Sequence, residues 1–209
     1  MDATWYFDFI SPFSYLQLGK LAALRDRLAI TPVPILFGAV LTHHGQLGPA
    51  EIRGKREFTY RFSHWQAERD GIVLRFPPAH PFNPIAALRL AIAAGATWPA
   101  ITAIFEHIWQ HGRAGDNALA LADVARGLGI DDVATAIARE DVKAKLRTNT
   151  DAALAAGVFG VPTLQVGSEL FWGNDATPML QDWLDDPQRF SAEEYRRIST
   201  LPAAIERKR

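Results

Sequence analysis

Phe7-Asp8-Phe9-Ile10-Ser11-Pro12-Phe13-Ser14-Tyr15-Leu16 says more about the architecture of this chain than any other segment. An aromatic run over residues 5–10 has the make-up of a strand. It passes directly into a helical pattern, in which Leu16, Leu18, Leu21, Leu24 and Leu28 recur near helical spacing. Ser11 stands where an N-cap belongs. Pro12 takes the first helical position, where a missing N–H is no loss. The pattern predicts a strand over 5–10 and a helix over 12–28.

A second strand is expected over 30–37, and its prolines, Pro32 and Pro34, push it to a sheet edge. Helices are expected over 52–71, 84–96, 98–111, 118–128 and 131–150, with a proline-broken loop at 76–83. Near the far end, Gly157-Val158-Phe159-Gly160-Val161-Pro162-Thr163 leads through a Val-Pro bond into a hairpin, 163–166 and 169–172. Gly167-Ser168 is a Gly-first pair suited to a two-residue turn. In Trp172-Gly173-Asn174-Asp175-Ala176-Thr177-Pro178, Thr177 reads as an N-cap and Pro178 as the first residue of a last helix over 178–184.

The order is β-α-β, a block of helices, then β-β-α. Neither end has enough strands for a sheet of its own, since a lone hairpin is marginal. The expectation is an α/β chain with one sheet assembled from both ends: a discontinuous domain at 1–42 and 146–209 around a helical insertion at 43–145.

Composition narrows the chemistry. The 209 residues are 48% hydrophobic, enough for a sizeable core, and the net charge is −1. That balance offers no basic field for nucleic acid and no polybasic membrane patch. The charge run Glu206-Arg207-Lys208-Arg209 reads as a solvated terminus. No signal-peptide pattern opens the sequence and no apolar run is long enough to span a bilayer, so a soluble, cytoplasmic protein is expected. There is no cysteine. The chain cannot perform disulfide chemistry alone; if it does thiol chemistry, the thiol must arrive with a cofactor.

Three features carry chemistry. Ser11 lies at a helix start, where unpaired N–H groups and the helix dipole favour an anion. Its hydroxyl can hydrogen-bond a thiolate, although a plain N-cap serine has the same local sequence. Ser14 lies within the first turn and reads as structural. A proline entering a strand, as at Val161-Pro162, calls for a reason, and a cis peptide is one; Val161 would then offer its backbone to a bound peptide. Asn174 and Asp175 precede a helix start and suit the zwitterionic end of an amino acid, or form an ordinary turn. His107 and His111 are four apart on an expected helix, but no third ligand is evident and no metal is expected. Arg53, Lys55, Arg56, Arg61 and Arg69 share a helix with Phe58, Tyr60, Phe62 and Trp65. This pattern usually means a solvated face and a core face.

Taken together, the stretches 7–16, 157–163 and Phe171-Trp172-Gly173-Asn174-Asp175 resemble the 2-hydroxychromene-2-carboxylate isomerase family. These are glutathione-dependent members of the disulfide-oxidase-like and kappa-class glutathione transferase group. Ser-Pro-Phe-Ser stands at the spacing of the usual Cys-x-x-Cys. The resemblance implies a thioredoxin-like fold, interrupted by a large all-helical insertion, and a homodimer. It implies glutathione as cofactor, with sulfur at Ser11, its cysteinyl backbone on Val161 before a cis Pro162, and its γ-glutamyl end at Asn174 and Asp175. Lys55 resembles the basic residue placed near the ligands, and Asn83 a polar loop residue near the substrate. On the residues alone, Phe13, Trp65, Phe76 and Phe82 suit either the lining of a pocket for a planar ring or the core. The family often carries an arginine after Asn-Asp; this chain has Ala176.

The implied substrate is a small aromatic carboxylate from naphthalene-type ring cleavage. The implied reaction is cis-trans isomerisation by reversible thiolate addition, a nucleophilic catalysis with a borrowed nucleophile. Two other readings stay open: a kappa-type transferase that conjugates electrophiles, and a cysteine-free thioredoxin-like module that binds peptides.

Overall fold

A computed structural model describes residues 1–205, so the charge run at 206–209 lies outside the described residues. Met1–Asn174 forms one compact unit, and the described residues from Asp175 onward belong to a second.

The first unit is built on a four-stranded mixed sheet in the order β2-β1-β3-β4. Strand β1 (Asp2–Phe7) leads into α1 (Pro12–Leu24), which returns to β2 (Ala29–Pro34). The pair β1 and β2 is parallel, with Tyr6 opposite Val33. As the prolines required, β2 is an edge strand. Helices α2 (Phe37–His43), α3 (Arg53–Arg69), α4 (Ile85–Ala93), α5 (Trp98–Phe105), α6 (Ala122–Gly127), α7 (Val133–Ala138) and α8 (Glu140–Ala155) follow. The chain then returns to the sheet through β3 (Thr163–Val166) and β4 (Glu169–Trp172). Strand β3 runs antiparallel to both β1 and β4, with Tyr6 opposite Thr163 and Thr163 opposite Trp172. Gly167, at φ +59°, supplies the left-handed residue that the two-residue hairpin turn needs. This is the expected thioredoxin-like sheet, drawn from both ends of the chain around helices.

Central β1 is buried on both faces. On one, Trp5 and Phe7 stack at 4.4 Å, Phe9 meets Phe7 edge-on, and Phe105 of α5 packs against all three. These four rings are fully buried. Each contributes on the order of 1.5–3 kcal/mol by leaving water. On the other face, Tyr6 joins Ile35, Val40, Ala153, Val158 and Val161.

Several expected boundaries move. β1 stops at Phe7, not residue 10, because the Asp8 carboxylate accepts the Ile10 N–H and turns the chain. α1 ends at Leu24, so Leu28 joins the core from the link after it. The expected helix 98–111 changes character: after Phe105, Glu106–Gln110 forms a wider π-helical turn. Within that turn, the Trp109 indole N–H donates to the Phe9 carbonyl. The expected helix 131–150 is two helices. Asp132 caps α7 by accepting from Thr135, and Arg139 is extended at ψ 137°. Glu140 and Asp141 then start α8 with acids where the helix dipole favours them. The helix expected over 118–128 is confined to α6.

In the second unit, α9 (Thr177–Asp185) is followed by α10 (Glu193–Ser199). The N-cap of α9 is Ala176, so Thr177 is already helical. Asp182 pairs with Arg189 at 3.0 Å, and Phe190 packs on Tyr195. Among the described residues no helix is long and apolar enough to cross a membrane.

Candidate active site

Ser11 is the N-cap of α1, buried at 7% exposure. Its Oγ accepts the Ser14 N–H at 3.3 Å. The Ser11 carbonyl accepts from Ser14 and Tyr15. Pro12 has no N–H to give. The donors left over at this helix start are therefore the Ser11 hydroxyl proton and the Phe13 N–H. Ser14 is fully buried one turn in, and its hydroxyl has no partner among the described residues.

The segment before Ser11 is held from several directions. The Ser11 N–H donates to the Asp8 carbonyl at 3.1 Å. The Asp8 side chain accepts from Ile10 N–H at 3.1 Å and from Phe37 N–H, at the start of α2, at 2.9 Å. Trp109 secures the Phe9 carbonyl at 2.8 Å, and His80 Nε2 lies 2.8 Å from the Ile10 carbonyl. Since a carbonyl only accepts, Nε2 carries the His80 proton. His80 Nδ1 then faces the Tyr60 hydroxyl at 2.8 Å.

Burial sets the charge states here. Asp8 is fully buried, and desolvation raises its pKa to about 7, partly opposed by the backbone N–H groups that it accepts. His80 is pushed below the usual histidine range, mainly by desolvation and further by Arg56, while its bond to Ile10 opposes the shift. It is held as neutral imidazole.

Val161-Pro162 forms a cis peptide bond, and so does His80-Pro81. Val161 and Pro162 directly precede β3, whose first residue, Thr163, pairs with Tyr6 near the end of β1 that leads to Ser11. Neither the N–H nor the C=O of Val161 is hydrogen-bonded among the described residues. The Pro162 carbonyl accepts the Gly173 N–H at 2.8 Å. Gly160 lies so close to Trp172 that an added Cβ would fall 2.3 Å from the indole nitrogen.

The other expected site residues are placed less simply. Phe13 meets Phe62 of α3 at 6.2 Å, and Phe62 stacks on both Phe58 and Trp65. Phe58 and Trp65 are exposed at 66% and 51%, so this face of α3 is neither core nor merely charged. Lys55 is exposed in the first turn of α3. Its neighbour Arg56 donates to the Ala50 carbonyl, and its charge reaches Tyr60 and His80. Asn83 is exposed, but its side-chain carbonyl accepts the Ile85 N–H and shapes the entry to α4. Asn174 is buried and gives its amide N–H to Gln66 at 3.3 Å. Asp175 is exposed and belongs to the second unit. His107 gives its Nε2 proton to the Ala114 carbonyl.

Sequence reasoning missed Asp8, Tyr60, His80 and Trp109. Asp8 carried a signal, as an acid between two phenylalanines in a strand-like run.

The profile of the DSBA-like thioredoxin domain matches residues 4–185. The chain belongs to this family. Within it, the chain groups with isomerases. A 2-hydroxychromene-2-carboxylate isomerase of Pseudomonas putida is 32% identical over 189 residues, covering 87% of this chain and 93% of the relative. A solved 2-hydroxychromene-2-carboxylate isomerase superposes with a TM-score of 0.77 at 28% identity, over 93% of this chain and 99% of that one. Glutathione S-transferase kappa 2 of Caenorhabditis elegans is 25% identical, over 88% of this chain and 91% of its own.

Proposed function

We propose that this chain is a glutathione-dependent cis-trans isomerase interconverting 2-hydroxychromene-2-carboxylate and trans-o-hydroxybenzylidenepyruvate. The observation that carries the reading is the donor pair left at the start of α1, the Ser11 hydroxyl and the Phe13 N–H, in a cysteine-free member of a family that includes such isomerases.

The residues suit glutathione. A thiol with an ordinary pKa of about 8.5 is acidified at a helix N-terminus. Here the helix dipole acts together with a hydroxyl whose own oxygen is already fixed by Ser14. The unengaged backbone of Val161, just before β3, suits pairing with an extended peptide. When bound, glutathione would supply a thiolate that adds reversibly to the conjugated carbon and so frees the former double bond to rotate.

The chain's own residues do the rest. Ser11 holds and orients the sulfur by hydrogen bond, and the clamps on Asp8, Phe9 and Ile10 keep Ser11 from moving as charge leaves and returns. Phe13 and Phe62 offer an apolar wall for a planar ring. Lys55 provides a cation for the substrate carboxylate and for the enolate charge that develops on addition. Asn83 keeps its amide N–H groups for a substrate oxygen. A homodimer belongs to the same reading and is tested by light scattering.

A second reading, conjugation of electrophiles, is favoured by the likeness to the kappa transferase. A spectrophotometric assay on 2-hydroxychromene-2-carboxylate, with and without glutathione, separates the two. Glutathione-dependent conversion is expected. Conversion at the same rate without glutathione would refute the borrowed thiolate. No conversion, beside conjugation of an aryl halide, would transfer the function to the second reading.

A further inference from the structure

We propose that the cavity between α2, α4 and α8 is a binding site for a small amphipathic carboxylate, held at its charged end by Arg89, Lys143 and Arg147. The cavity measures about 220 Å³ and has an apolar floor of Leu36, Ala39, Ile85 and Leu146. It shares no residue with the Ser11 site.

The strongest pointer is Arg89. Its Nε is buried and has no hydrogen-bond partner among the described residues. A guanidinium N–H taken out of water without an acceptor is unfavourable, and native structures rarely leave one so. The Nε and the terminal nitrogen beside it form a planar fork that matches the two oxygens of a carboxylate.

The surrounding charges agree. Lys143 and Arg147 lie in the same wall, against one acid, Asp151. Glu140 stands outside the lining, highly exposed, bonded to Lys143 at 2.7 Å. Its carboxyl is held below the usual range by Lys143 first, with Arg147 and Arg89 adding to the effect. The three cations therefore act on one region. The Thr150 hydroxyl is already used, donating to the Leu146 carbonyl and accepting from Leu36 N–H, so it does not compete.

Shape and chemistry select the ligand class. A dry cavity of about 150 Å³ is enough for benzene. A cavity of about 220 Å³ has room for a ring bearing a carboxylate. Inorganic phosphate would meet the cations but leave the apolar floor wet. Benzyl alcohol would cover the floor but leave Arg89 without an anion.

Benzoate is the probe, titrated calorimetrically into the full chain, with benzyl alcohol and inorganic phosphate as controls. Saturable benzoate binding is expected, at least tenfold tighter than either control and unchanged in Ser11→Ala. Arg89→Gln should weaken it tenfold or more. Arg147→Gln, at a more exposed position, should weaken it several-fold and provides the test if Arg89→Gln fails to fold. Absence of saturable binding, equal affinity for phosphate, full affinity in the folded arginine variants, or loss of binding in Ser11→Ala would each overturn the proposal.

Discussion

Replacing Asp8 by asparagine tests whether a buried, ionisable carboxylate sits behind Ser11. Desolvation moves its midpoint from 3.8 to about 7. Between those values the native chain holds a proton that the unfolded chain has released. Stability from this group therefore falls as pH rises through that window and levels off above about pH 7. The full change is about 4 kcal/mol. The amide in Asp8→Asn cannot ionise, so the variant lacks this loss. It does lose an acceptor: Asp8 takes N–H groups on both oxygens, and asparagine offers only one oxygen. Leaving one N–H unsatisfied costs about 1–3 kcal/mol. Relative to the wild type, the variant should therefore gain about 3 kcal/mol of stability between pH 4.5 and pH 8.5. Urea unfolding followed by tryptophan fluorescence, with m-values compared, reads the difference at each pH. A difference that stays constant between pH 4.5 and 8.5 would refute the burial argument. One that changes in the opposite direction would refute it too.

Ser11→Ala should lower kcat by roughly 10²-fold, the scale for removing one donor from a developing anion, with a smaller change in glutathione KM; steady-state kinetics decide, and an unchanged kcat removes Ser11 from the mechanism. For His80, the proton on Nε2 and the depressed pKa predict a neutral imidazole at pH 7, seen by nitrogen-15 NMR as a single tautomer. Because the unfolded chain protonates first, His80 withdraws stability as pH falls through its ordinary value of 6.5, and His80→Gln should blunt that loss. Gly160→Ala forces its new Cβ against Trp172, and a destabilisation of about 1–3 kcal/mol is expected by thermal melting. Trp172→Ala in the same chain should recover most of it, through a coupling that additive effects would not produce.

Part of this protein is settled by a few neighbouring residues at a time. Ser11 caps a helix because Pro12 follows it and its oxygen reaches Ser14 three residues on. Two prolines exclude β2 from the sheet interior, and Gly167 allows the hairpin. These are steric and hydrogen-bonding preferences within one turn of chain, so they were legible in the sequence. The absence of cysteine was equally plain, and with it the condition that any thiol chemistry here must borrow its thiol.

The surroundings of Ser11 were not legible in that way, because they come from tertiary packing. His80 reaches Ile10 across 70 residues, and Trp109 reaches Phe9 across 100. No local pattern encodes such partners. They follow from packing the 76–83 loop, held by Tyr60 of α3, and the turn after α5 against residues 9 and 10. The same packing strips water from Asp8 and raises its pKa, and it turns Asn174 inward to Gln66. Charge state depends on solvent exclusion, and solvent exclusion is a property of the assembled core, not of the residue.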